Sequence, residues 1–89
     1  MHFRFFDAIA EMQFVEAVYL FGSRARGDAT DKSDIDLAIV CPSASDYDWL
    51  KIVDIIDEAD TLLKIDCVHF DTLKNDRLKA EIERDKIIL

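Results

Sequence analysis

The stretch from Gly22-Ser23-Arg24-Ala25-Arg26-Gly27 to Ser33-Asp34-Ile35-Asp36-Leu37 constrains the fold more than any other part of the chain. An apolar, β-rich run, Val15 to Phe21, precedes it, and Leu37-Ala38-Ile39-Val40 follows. The order read from these residues is a strand, a Gly-Ser turn, a polar basic loop, and a second strand that opens on two carboxylates. Side chains two residues apart in an extended strand point to the same face. Asp34 and Asp36 therefore aim together while Ile35 turns away. Aligned carboxylates suit a hard cation such as Mg²⁺, which takes oxygen ligands. The backbone N–H groups of the turn, the Ser23 hydroxyl and a nearby arginine are equipped to hold phosphate. Together these groups suit a metal-bound nucleoside triphosphate.

The rest of the composition narrows what can surround this stretch. Residues 1–89 are expected to form a single domain, with 51% hydrophobic residues giving a small but real core. Two glycines and one proline leave no room for a long linker. Nineteen acidic residues against eleven basic ones give a net charge of −8. Binding along a nucleic-acid backbone needs a clustered positive surface, so general nucleic-acid affinity is not expected. Arg24 and Arg26 are a local exception, sized for one triphosphate. The first residues meet Asp7 too early for a signal peptide, and no apolar run approaches membrane-spanning length. Cys41 and Cys67 fall in or beside expected buried strands, which suits reduced thiols. A cytoplasmic chain with no membrane contact is the expectation from these features.

In chain order, the apolar positions Phe6, Ile9 and Ala10, flanked by Phe3 and Met12, predict a helix over Phe3 to Gln13. Phe5 and Phe14 fall partly outside its apolar face, so this helix either buries two sides or meets a partner. The first strand is expected over Val15 to Phe21, covered on both faces because its apolarity is continuous. Ser23 to Asp31 reads as a turn with room for one short helical turn. A second strand, Ile35 to Val40, is closed by Cys41-Pro42. Ser45 as N-cap with Asp48 three residues on forms a capping box for a helix over Tyr47 to Leu63. Its apolar face is Trp49, Ile52, Val53, Ile56, Ala59 and Leu63, with Asp54, Asp57, Glu58 and Asp60 turned to solvent. Lys64 to Phe70 is the third strand, Thr72 is the expected cap of a last helix, and Ile87-Ile88-Leu89 a short closing strand. This order predicts an α+β fold with α/β-type layering, a small mixed sheet with helices packed against it.

The run Gly22 to Leu37 resembles the signature of the polymerase-β-like nucleotidyltransferases, above all their smallest members, the minimal nucleotidyltransferases, often the antitoxin half of a HEPN/MNT toxin–antitoxin pair. That resemblance implies a polymerase-β-like fold and a site for two Mg²⁺ ions with ATP as nucleotide donor. Asp34 and Asp36 match the first two of the family's three metal acids. The third should project from a neighbouring strand. Asp66 is the candidate, because an acid inside an otherwise buried strand is costly unless paired or metal-bound. Asp71, at the strand's far end, is the weaker choice. In the family the third acid also helps deprotonate the incoming hydroxyl. Gly22 and Ser23 would approach the β- and γ-phosphates. Arg24 and Arg26 would either contact the triphosphate or only cover the surface. Gly27 would support the loop, and Ser33 would order the start of the acidic strand.

Cys67 and His69 share a strand face while Asp66 points to the other, and no second Cys/His pair stands at metal spacing. They read as core residues, and Trp49 reads the same way. The expected function is Mg²⁺-dependent transfer of a nucleoside monophosphate, AMP from ATP, to a hydroxyl that a HEPN-type partner presents. The rival expectation is a partner-binding module that neutralises a toxin by complex formation, with weak or no turnover.

Overall fold

A computed structural model of the protein describes residues 4–89. Four helices and four strands follow one another as α1 (Arg4–Ala10), β1 (Ala17–Phe21), α2 (Gly22–Arg26), β2 (Ile35–Val40), α3 (Asp46–Asp57), β3 (Ile65–His69), α4 (Asp76–Asp85) and β4 (Ile87–Ile88). A 3₁₀ turn over Phe70–Thr72 joins β3 to the segment before α4. The strands form one sheet in the order β3-β2-β1-β4. The β1–β2 and β1–β4 pairs are antiparallel and the β2–β3 pair is parallel. A parallel pair needs a crossover, and α3 supplies it. This is the mixed sheet that the sequence predicts, with β2 on its expected residues.

The sheet has two unequal covers. Val18 and Leu20 of β1, with Ile35, Leu37 and Ile39 of β2, face the larger core, which Phe5, Phe6 and Ile9 of α1 and Ile52 of α3 complete. Phe5 and Phe6 are both buried, their rings edge to face at 4.6 Å. The first helix thus buries two sides, which accounts for its broad apolar face. Its expected start at Phe3 lies outside the described residues. The opposite face is thinner: Phe21, Ala38 and Ile82 of α4 form a second buried cluster, joined by half-buried Tyr19, Val68 and Phe70. Asp36 shares this second face with Ala38, two residues further along β2.

Several boundaries differ from expectation, and α1 already ends at Ala10 rather than Gln13. Helix α3 stops at Asp57, well short of Leu63. Asp54, Asp57, Glu58 and Asp60 crowd its C-terminal end, where negative charge opposes the helix dipole. Ala59 and Leu63 still pack on the core, from the segment that follows. Helix α4 is capped by Asn75, whose Oδ1 accepts from the Leu78 N–H at 3.1 Å, and not by Thr72. The Thr72 hydroxyl donates instead to the His69 carbonyl at 3.2 Å within the 3₁₀ turn. Strand β1 begins at Ala17, because the Val15 N–H closes a turn onto the Met12 carbonyl. The capping box forms as read: Ser45 Oγ accepts from the Asp48 N–H and Asp48 Oδ2 from the Ser45 N–H, each at 3.1 Å. Among the described residues no helix is long and apolar enough to cross a membrane.

Candidate active site

The Gly-Ser turn is the first turn of α2, a helix of five residues that starts at Gly22, directly after β1. Phe21 stands at its N-cap and offers no side-chain hydrogen bond, so the first N–H groups of α2 lack a side-chain cap. The helix ends at Gly27, which is left-handed at φ 83°, and the Gly27 and Asp28 N–H groups both close onto the Ser23 carbonyl. Gly22 also has a positive φ, 72°. A Cβ there would run into the Asp36 carboxylate, meeting its Cγ at 3.1 Å. Glycine therefore lets the start of α2 lie against the acid that opens β2.

Asp36 is the register partner of Phe21 on one side and of Asp66 on the other. Register partners on adjacent strands share a face, so the Asp36 and Asp66 carboxylates project together. Asp34 lies two residues before Asp36 and is exposed. Burial, then Asp66, then Asp34 push the Asp36 carboxyl above the ordinary carboxylate range, with Arg26 and Lys64 acting weakly the other way. Asp66 from β3 and Asp34 just before β2 thus both act on Asp36, although the three carboxylates do not lie within 4.8 Å of one another. Such a donor set fits a hard divalent cation, which relieves the repulsion among carboxylates by lying between them.

Asp66 differs from expectation in its surroundings. Strand β3 is a half-buried edge strand, the Asp66 side chain is 44% exposed, and Lys64 Nζ lies 3.5 Å from it. Its placement beside Asp36 comes from register and not from burial. The alternative acid, Asp71, sits beyond the other end of β3, where its Oδ2 accepts the Cys41 N–H at 2.7 Å.

The two arginines have different settings. Arg24 ties α2 to the loop before β2, donating from Nε and Nη2 to the Ser33 carbonyl at 3.2 and 2.9 Å. Its Nη2 also lies 3.4 Å from the Asp31 carbonyl. Ser33 orders the same loop, its Oγ accepting from the Thr30 N–H at 2.9 Å. Arg26 is exposed and lies between Asp28 at 3.3 Å and Asp85 at 3.6 Å, with Asp28 the main cause holding its guanidinium charged. Asp85, at the end of α4, also takes both Nε and Nη2 of Arg84 at 3.0 Å. No spacing in the sequence pairs Asp85 with Arg26, since the contact exists only once α4 has packed. Cys67 packs against the larger core, where burial pushes its thiol up to about 12.

Comparison with known proteins shows the family and the fold. Residues 7–89 match the family described as "Polymerase beta, Nucleotidyltransferase". A Methanocaldococcus jannaschii protein named "Putative protein adenylyltransferase MJ0128" is 37% identical over 81 residues, 89% of this chain and 81% of the relative. A toxin–antitoxin crystal structure with AMP-PNP superposes with a TM-score of 0.66 at 19% identity, over 94% of this chain and 68% of the other. The toxin–antitoxin structure MntA-HpeT superposes at 0.62 and 16% identity, over 93% of this chain and 67% of the other. The chain belongs to the polymerase beta nucleotidyltransferase family and is a nucleotidyltransferase.

Proposed function

We propose that the protein transfers AMP from ATP to a hydroxyl of a partner protein, and that Asp34, Asp36 and Asp66 hold two Mg²⁺ ions for the reaction. The reading rests above all on the register pairing of Asp36 with Asp66, with Gly22 packed against the first of them. Mg²⁺ held by these acids would neutralise charge on the triphosphate and stabilise both the attacking and the leaving oxygen. The uncapped N–H groups at the start of α2 and the Ser23 hydroxyl hold the β- and γ-phosphates. Arg24 and Ser33 contribute by fixing the loop that carries Asp34, and Arg26 adds positive charge at the rim. Asp66, half exposed at the sheet edge, receives the proton of the incoming hydroxyl. The hydroxyl oxygen then bonds to the α-phosphorus, the α–β bridging bond breaks, and pyrophosphate leaves with the bonding pair.

The name of the Methanocaldococcus relative supports a protein as acceptor and adenylate as the group moved. The toxin–antitoxin neighbours support a toxin as that partner, and the resemblance of Gly22 to Leu37 to the minimal nucleotidyltransferases points to the HEPN type, in the cytoplasm. Tagged protein incubated in lysate of its own host, with Mg²⁺ and ATP labelled on the α-phosphate, tests the reading. The expected result is label on one protein band, absent with γ-labelled ATP and absent with Asp36→Asn. Label on RNA would replace the acceptor class. No label, with a partner still co-purifying, would leave a binding module.

A further inference from the structure

At the opposite end of β2 and β3, on the opposite sheet face, lies a second cluster of potential ligands. Ile39 and His69 are register partners in the parallel pair. Two residues beyond each come Cys41, just past β2, and Asp71, in the 3₁₀ turn, which the Cys41 N–H holds by its bond to Asp71 Oδ2 at 2.7 Å. A ligand atom from each of Cys41, His69 and Asp71 lies within 4.8 Å of the other two. His69 Nε2 is 3.6 Å from Asp71 Oδ2, close to the edge of a tetrahedron with ligand bonds of about 2.0–2.2 Å. Trp49 stacks on the imidazole at 4.9 Å and 14°, which fixes the ring plane and leaves its edge toward the other two residues. Part of this arrangement is a backbone clasp. The Cys41 N–H donates to Asp71 and the Cys41 carbonyl lies 3.2 Å from His69 Nε2. The clasp makes no use of the thiol, which is fully buried in the larger core.

We propose that Cys41, His69 and Asp71 form a site for a zinc-class divalent cation, held by one thiolate, one imidazole and one carboxylate with water as fourth ligand. This donor set is too soft for Mg²⁺ and suits zinc. Binding forms the sulfur–metal bond and releases the Cys41 thiol proton to solvent. Without metal His69 Nε2 carries the proton and donates to the Cys41 carbonyl; binding shifts that proton to Nδ1, gives up this hydrogen bond and turns the Nε2 lone pair to the metal. Without metal the thiol stays protonated, since burial, Asp71 and Asp48 raise it to about 11. The site lies about 17 Å from Asp36 along β2, at roughly 3.3 Å per residue. It is therefore independent of the nucleotidyl-transfer reading, and it would lock the β2 end to the 3₁₀ turn.

The test uses reduced, chelator-stripped protein with Mg²⁺ in excess to occupy oxygen sites, titrated with Co²⁺ and then Zn²⁺. One equivalent of Co²⁺ should bring up a thiolate-to-cobalt charge-transfer band, which Zn²⁺ then removes. Co²⁺ on the acids of the other site gives no such band. Cys41→Ser should abolish it, and Cys67→Ser, which changes a thiol outside the set, should keep it. His69→Gln and Asp71→Asn should each weaken binding by more than about 100-fold, the upper end for losing an outer-shell partner. These two variants decide the matter even where Cys41→Ser fails to fold. Absence of the band in folded wild type overturns the site. So does a band that depends on Cys67, or one indifferent to His69.

Discussion

At Gly22 a methyl group would meet two penalties at once. The left-handed backbone costs an L-residue roughly 1–2 kcal/mol, and the added carbon would push on the Asp36 carboxylate. Gly27 has the same sign of φ, but nothing lies within 4 Å of the position its Cβ would take. Gly27→Ala should therefore lose only the backbone cost, a melting drop of about 4–16 °C at 4–8 °C per kcal/mol. It should keep its stabilisation by Mg²⁺–ATP. Gly22→Ala should melt lower still and lose that stabilisation, because the acid has moved. Calorimetry with and without ligand checks the pair, and equal behaviour of the two variants would refute the contact. Asp36 carries a pH-dependent expectation of its own. Its carboxyl is raised in the folded state, mainly by burial and then by Asp66 and Asp34. Below the unfolded carboxylate range both states are protonated and no penalty exists. Above the raised value the folded state bears a charge it disfavours, and the penalty is complete. Metal-free Asp36→Asn should thus melt above wild type near pH 7, and the two should converge near about pH 3. Mg²⁺–ATP should reverse the order at neutral pH.

Among the elements, β2 and the α3 cap were legible because their signals are local. The apolar run Leu37 to Val40, Pro42 after the strand and the Ser45–Asp48 box are all written within a few residues. Thr72 and Asn75 were harder, since both are good caps and only the 3₁₀ turn decides between them. The end of α3 needed the charge of four acids weighed against an apolar stripe that continues without the helix. The setting of Arg24 was not legible at all, because its partners are backbone carbonyls, which every residue has. That setting gives an element-level expectation. Lysine cannot reproduce the fork that reaches the Ser33 carbonyl from two nitrogens. Arg24→Lys should loosen the loop that carries Asp34 while the core remains intact. Transfer should fall by about 10- to 100-fold, the scale of a small misplacement of catalytic groups, with little change in melting temperature. A large loss of stability with unchanged turnover of the folded fraction would argue against this role.

For the molecule as a whole, the sheet order joins two ends with different chemistry. The larger core lies on one face under α1 and α3, and the acids open on the other face beside the thinner cover of α4. The sequence placed the acids in one region because Asp34 and Asp36 are close in the chain. Asp66 stands out in the sequence by its expected burial, yet β3 is a half-buried edge strand and the parallel register brings the acid to Asp36. The second cluster stayed hidden for a related reason: Cys41 follows the end of another strand and stands far from His69 in sequence. A domain of 89 residues has little stability in reserve, so a ligand that joins α2, β2 and β3 should register in its melting. At 100 times the dissociation constant of Mg²⁺–ATP, linkage contributes about 2.7 kcal/mol. For a chain of this size that corresponds to a rise of roughly 10–20 °C. Asp34→Asn/Asp36→Asn should remove the rise, and Asp71→Asn, at the other end of the sheet, should leave it. The contrast between those two variants separates a site at the α2–β2 junction from a general effect of Mg²⁺ on a chain of net charge −8, because nonspecific screening would stabilise both alike.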